Sequence, residues 1–299
     1  MLNKKHSRRS LAIFVALALG SGAFFTPASP AAAADVTIDA SNPPSDNVTG
    51  SGDNGSAAGV VTDMTSAAEV SGNTMTFRGY NYSGKSIYGG FTHGTGRVHG
   101  NIVGIYGGAM QSAYGGAAML GGNVERNEIA ITGGTISGSV YGGFSTGNGD
   151  VTGNKVHLTG TTVNGSVYGG YGAHKTNDNE VYLNGDVNIT RDLYGGNSTS
   201  ASMGNKLFVE GKDNKAQKVD RFQQMTFKTD GVAEGQTMLQ VTGTAKTKVD
   251  WEKLEATGTA TGITLLRNDH DIILSHYNVF NNVKSKLSAD GKSEYDIEA

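Results

Sequence analysis

Five copies of the triplet Tyr-Gly-Gly, beginning at Tyr88, Tyr114, Tyr141, Tyr168 and Tyr194, recur at steps of 26, 27, 27 and 26 residues. A second marker keeps the same period. It is an Asn that opens an alternating strand, at Asn73, Asn101, Asn127, Asn154, Asn179 and Asn205, with steps of 28, 26, 27, 25 and 26. A further Tyr-Gly-Gly, at Tyr106, lies out of phase. Two markers that share one period define a tandem repeat, and a repeat of this length constrains a chain to a stack of like units.

Aligned on the Asn, the units read Asn-x-apolar-x-apolar-x-Gly, best seen in Asn127 to Gly133, Asn154 to Gly160, Asn179 to Gly185 and Asn205 to Gly211. Period-two alternation gives each strand one buried and one wet face. The buried columns are Ile129/Val156/Val181/Leu207 and Ile131/Leu158/Leu183/Val209, which Met75 and Phe77 extend backwards. A second short strand supplies Ile136/Val163/Ile189 and then Ile87/Val140/Val167/Leu193 just before each Tyr. No unit can bury its apolar face alone, so the sequence predicts an all-β parallel β-helix, or β-solenoid, of about five to six rungs. The residue after the Asn alternates in sign through Glu128, Lys155, Glu180 and Lys206. Rungs spaced about 4.8 Å apart turn that alternation into a register ladder, because a slip of one unit would oppose like charges. Asn, Tyr and Gly-Gly are expected to be stacking and turn residues, the Asn side chains bonding from rung to rung.

Around the repeat the chain divides into a signal peptide (1–34), a polar linker or N-terminal cap (35–72), the solenoid (73–211) and an irregular β-rich C-terminal cap (212–299). Lys4, Lys5, Arg8 and Arg9 precede the apolar run Leu11 to Phe25, and Ala32-Ala33-Ala34 offers a small-residue cleavage site. That order is the order of a secretory signal, and the run is too short to span a bilayer. Loss of the signal would leave 20 basic against 27 acidic residues, a net of −7. That sign argues against nucleic acid and anionic membrane surfaces as partners. The chain has no cysteine, so disulfides and thiol chemistry are excluded. Of its 45 glycines, 32 lie in 72–205, interleaved with β-branched residues, which marks tight turns between short strands.

Chemistry-bearing motifs are sparse. Gly143-Phe144-Ser145-Thr146-Gly147 matches the hydrolase elbow G-x-S-x-G but lies in a repeat loop with no helix after it. His93, His99, His157, His174, His270 and His276 show no metal-ligand spacing. Asp150, Asp178 and Asp186 fall at unmatched offsets, and no two acids occupy adjacent rungs of the exposed strand columns. We therefore expect no catalytic, cofactor-binding or metal residues and no cofactor. A polysaccharide-active β-helix enzyme and a structural spacer of the cell surface or biofilm are the alternatives.

A signal peptide, rungs of the kind NxVxLxGxxVxGSVYGG and a charged non-repetitive segment resemble the passenger regions of bacterial autotransporter (type V secretion) adhesins, over about 73–299. The resemblance implies a right-handed parallel β-helix at the cell surface, the outer membrane or in the extracellular space. It also implies adhesion to a protein or glycan of a host or neighbouring cell. Barrel strands do not follow before Ala299, so attachment to the outer membrane is expected only through a translocator not present in this chain. Binding is expected in the loops after Tyr-Gly-Gly, where the sequence varies while the strands stay constant.

Overall fold

The computed structural model describes residues 35–38, 48–49, 59–60, 69–79, 81–198, 202–244, 247–250, 254–268, 272–275, 283–287 and 293–298. The expected signal peptide, Trp251, His270 and His276 lie outside them. Every element among the described residues is a β-strand. The chain is a parallel β-solenoid of about seven turns, slightly more than the five to six read from the repeat. The difference has a physical source: strands lacking the repeat signature still pair with the stack at both ends. Asp35–Ile38 pairs with Thr74–Arg78, and Gln224–Lys228 and Leu254–Thr257 continue the ladder beyond Lys206–Glu210.

Each turn passes through up to three parallel sheets. The first holds nine strands, including Glu128–Thr132, Lys155–Thr159 and Glu180–Asn184, each opened by its Asn. The second carries the tyrosines, in Ile87–Thr92, Ala113–Ala118, Val140–Ser145, Val167–Gly172 and Asn188–Gly196. The third is made of short strands at Glu69–Ser71, Arg97–His99, Val124–Glu125, Val151–Thr152 and Thr176–Asn177. Antiparallel pairs close both ends of the second sheet. Val48–Thr49 pairs with Gly59–Val60 at one end, and Val283–Leu287 with Ser293–Glu298 at the other.

The register is the one the alternation dictates. Ile129 lies against Val156, Val156 against Val181 and Val181 against Leu207, all buried in one continuous core with Ile131, Leu158, Leu183 and Val209. A second, smaller core of Val70, Val98, Ala118, Val124 and Val151 lies under the third sheet. The Asn column stands where the two cores meet, and all six residues are fully buried.

Two local features place it there. The residue just before each Asn is left-handed: Gly72, Gly100, Gly153 and Gly204, but also Arg126 (φ 50°) and Asp178 (φ 55°). This corner turns the chain out of the third sheet and aims the amide inward. The second feature is the Gly-Gly pair. A Cβ on Gly143 would stand 2.6 Å from Asn154 Nδ2 and 2.7 Å from Val151 Cγ1, and one on Gly142 would strike the Gly169 carbonyl. Gly90, Gly116 and Gly170 leave the same room for Asn101, Asn127 and Asn179, each at 2.6 Å. The two sequence markers are therefore two halves of one contact. The out-of-phase Tyr106-Gly107-Gly108 does a different job. Its glycines have φ of 76° and 82° and form the corner that Gly133 and Gly134 form one turn later.

Each amide is used fully. Asn127 Nδ2 donates to Asn154 Oδ1 (3.0 Å) and to the Val98 carbonyl (3.2 Å), while Asn154 Oδ1 also accepts the Asn127 backbone N–H (3.0 Å). The pattern repeats from Asn73 to Asn205, and Gln223 ends it by accepting the Asn205 N–H through Oε1 at 2.9 Å.

Replacing Asn154 with Ala strands the Asn127 amide and backbone donors in a dry interior. At about 1–3 kcal/mol for each unsatisfied group, we expect a loss near 3 kcal/mol in urea unfolding. Arg126→Gly should act the other way, raising stability by about 1 kcal/mol by relieving a left-handed non-glycine corner, while Arg126→Ala gives no such gain.

Candidate functional site

Three parts of the surface carry the side chains singled out in the sequence: the outer face of the first sheet, the tyrosine face of the second, and the loop edge between the second and third sheets. On the first sheet, Glu128, Lys155, Glu180 and Lys206 stand in successive rungs of one column. Glu180 is bridged from both sides, by Lys155 at 3.3 Å and Lys206 at 3.7 Å. Burial pushes its carboxyl up, but the Tyr182 hydroxyl, which donates to it at 2.7 Å, and the two lysines outweigh that and hold it below the usual carboxylate range. Glu128 faces His157 instead, at 3.6 Å. His157, Tyr182 and Phe208 stack down the centre of this face, with centroids 4.2 and 4.5 Å apart, and partial burial lowers the His157 pKa.

On the second sheet the five tyrosines form one ladder. Their centroids are 4.5, 4.7, 5.1 and 5.3 Å apart and their planes lie within 10° of parallel. The bend at Gly-Gly also brings out a second aromatic column, and Phe144 stacks on Tyr171 at 5.2 Å while both meet the tyrosines edge-on. Ring faces in such stacks cover one another, so the solvent meets ring edges and hydroxyls. The sequence reading assigned the tyrosines to stacking but missed their partners. A serine two residues earlier stands beside each of the first four phenols and favours its ionised form: Ser86, Ser112, Ser139 and Ser166. The fifth, Tyr194, donates to Asp192 at 2.8 Å. The serines form a column of their own, Ser139 N–H donating to Ser112 Oγ at 3.2 Å and Ser166 N–H to Ser139 Oγ at 3.1 Å. The repeated Ser-x-Tyr spacing was the available signal. Gln223 was missed because it follows Asn205 after 18 residues, with a different amide residue.

The motifs weighed for catalysis fall apart. Ser145 of the G-x-S-x-G match is fully buried, and its Oγ donates to the Gly122 carbonyl at 3.2 Å. Asp150, Asp178 and Asp186 sit on different corners; Asp150 pairs with His174 at 2.5 Å, and the other two occupy left-handed turns. His99 pairs with Glu69. Among the described residues no group of three or more His, Cys, Asp or Glu side chains could hold a metal ion.

The loop edge is where the columns stop. Met119 to Asn123 and Thr146 to Asp150 occupy the same place in adjacent turns and share little sequence, and Met203 stands at the corner just before Asn205, one turn on from Asn177. Leu120 and Met203, at 60% and 63%, are the most exposed large apolar side chains among the described residues.

These features define the chain as a parallel β-solenoid with aromatic, amide and charge ladders. No family model matches it, and neither the curated proteins nor the solved structures contain a match.

The tyrosine ladder should be visible in an alkaline titration followed by phenolate absorbance. Burial and the neighbouring Tyr114 push the Tyr141 phenol from 10.0 to about 12. The folded pKa is the higher one, so this phenol contributes stability that is complete below pH 10 and is lost as pH rises through about 12. We expect a delayed, cooperative phenolate transition coinciding with unfolding.

Proposed function

We propose that this chain is an exported, non-enzymatic, adhesin-like passenger protein, a solenoid that holds variable loops out for contact with a protein or glycan on another cell. Export rests on the signal-like segment 1–34, and the passenger role on the resemblance of its rungs to autotransporter repeats. The observation that carries binding at the loops is the position of Leu120 and Met203. Of the four large apolar side chains exposed among the described residues these two are the most exposed, Leu120 within the loop between the second and third sheets and Met203 at the corner that ends the equivalent segment before Asn205, where the sequence varies. The tyrosine columns are less suited to a first contact, because their ring faces are occupied by one another.

The test is to immobilise the mature chain and screen it against cells, matrix proteins and glycans. Saturable binding is expected. The double substitution Leu120→Ser and Met203→Ser should weaken it at least tenfold while leaving thermal unfolding unchanged, since neither side chain lies in the core. Absence of saturable binding would favour a spacer role. Turnover of an acidic polysaccharide, abolished by changing Asp150 or Asp178, would overturn the non-enzymatic reading.

A further inference from the structure

The five-tyrosine ladder ends asymmetrically. Tyr88, Tyr114, Tyr141 and Tyr168 each follow a serine by two residues, where the Tyr194 rung has Asp192, and the Tyr194 hydroxyl donates to that carboxylate at 2.8 Å. Lys218 lies 5.4 Å from the Tyr194 ring centroid, and its charge is balanced by Asp220 at 2.7 Å. Asp192 is therefore the base that Tyr194 meets. From Tyr88 to Tyr194 no gap between neighbouring ring centroids exceeds 5.3 Å.

We infer that the tyrosine ladder carries an oxidising equivalent along the solenoid and that Tyr194 is its resting site, the residue at which one-electron oxidation of the ladder is trapped. A one-electron oxidant, such as a peroxyl radical or a photogenerated metal complex, removes an electron from one ring of the stack and is itself reduced. The vacancy passes between rings in contact. It stops at Tyr194, where the phenolic proton crosses to the Asp192 carboxylate and leaves a neutral phenoxyl radical beside a protonated Asp192. A phenol is far harder to oxidise while it keeps its proton, so the ring with a carboxylate at hydrogen-bond distance holds the radical best. The serines of the other four rungs are neutral and much weaker bases. Burial and Asp192 both raise the Tyr194 pKa, so the phenol stays protonated until oxidation and its proton must leave in the same event.

Mapping radical adducts by mass spectrometry tests this on the whole chain. The oxidant is a photogenerated ruthenium(III) complex and the trap a nitroso compound. Tyr194 is expected to carry severalfold more adduct than the other four tyrosines of the ladder and than Tyr106, whose side chain is half exposed and stands outside the ladder; Tyr182, which has its own carboxylate partner in Glu180 on the first sheet, is outside the comparison. Asp192→Asn keeps an acceptor of similar shape but removes the base, and should cut the Tyr194 share to that of its ladder neighbours. Tyr168→Leu breaks the stack one rung away and should lower the Tyr194 yield while leaving Tyr106 unchanged; circular dichroism confirms that each variant is folded. The inference is overturned if adducts follow exposure, with Tyr106 leading, or if the Tyr194 share survives both substitutions.

Discussion

The Asn amide in the space left by Gly-Gly is the contact on which the solenoid depends. A buried carboxamide brings two donors and two acceptor lone pairs into a region without water, and any of them left unmet costs about as much as a hydrogen bond contributes. The ladder meets them with the amide above, the amide below, one backbone N–H and one carbonyl of the third sheet. That arrangement needs rungs in register, a left-handed corner just before the Asn, and a strand without a Cβ facing it. The period, the corner and the glycines follow from one geometric requirement. The flanking apolar columns supply most of the driving force, but hydrophobic contact is tolerant of sliding. The amides are not, so they fix which rung pairs with which.

The other ladders are consequences of that register. Once rungs are stacked unit on unit, every repeated side chain becomes a column, and the chemistry of each column decides whether stacking helps or hurts. Aromatic rings stack with little loss of freedom. Like charges in a column would repel, and the Glu180 column avoids this by alternation. Where the columns break, at Ala117 in the second aromatic column or at Gly104 on the first sheet, the neighbouring aromatic side chains fold over the small residue or close the gap edge-on.

Much of this was legible in the sequence because a stack converts one-dimensional spacing directly into three-dimensional neighbours. The pairing of Ile129 with Val156 and of Glu180 with Lys206 follows from the period alone. What the spacing concealed were turns that keep the geometry while losing the signature. Gln223 replaces the Asn after a shortened turn, and Arg126 and Asp178 take a left-handed corner that four other rungs give to Gly. The number of turns was underread for the same reason, since end strands pair by backbone hydrogen bonds, which carry no side-chain code. The loop edge was legible only as a place: variation marks where the scaffold is indifferent, and the identity of a ligand is not written in the columns.

The antiparallel pairs at the ends of the second sheet have a consequence for the molecule as a polymer. Every parallel rung is a template on which another copy of the same unit could add, so a bare stack would have two growing ends. At one end Gly59–Val60 runs against the coil on Val48–Thr49; at the other Ser293–Glu298 runs against it, and Val283–Leu287 beyond runs with it again. An incoming unit therefore meets, at either end of this sheet, a strand that carries none of the Asn or Tyr-Gly-Gly markers of a rung. The same backbone chemistry that propagates the stack thereby sets its length, and on this sheet the fold carries its own chain terminators.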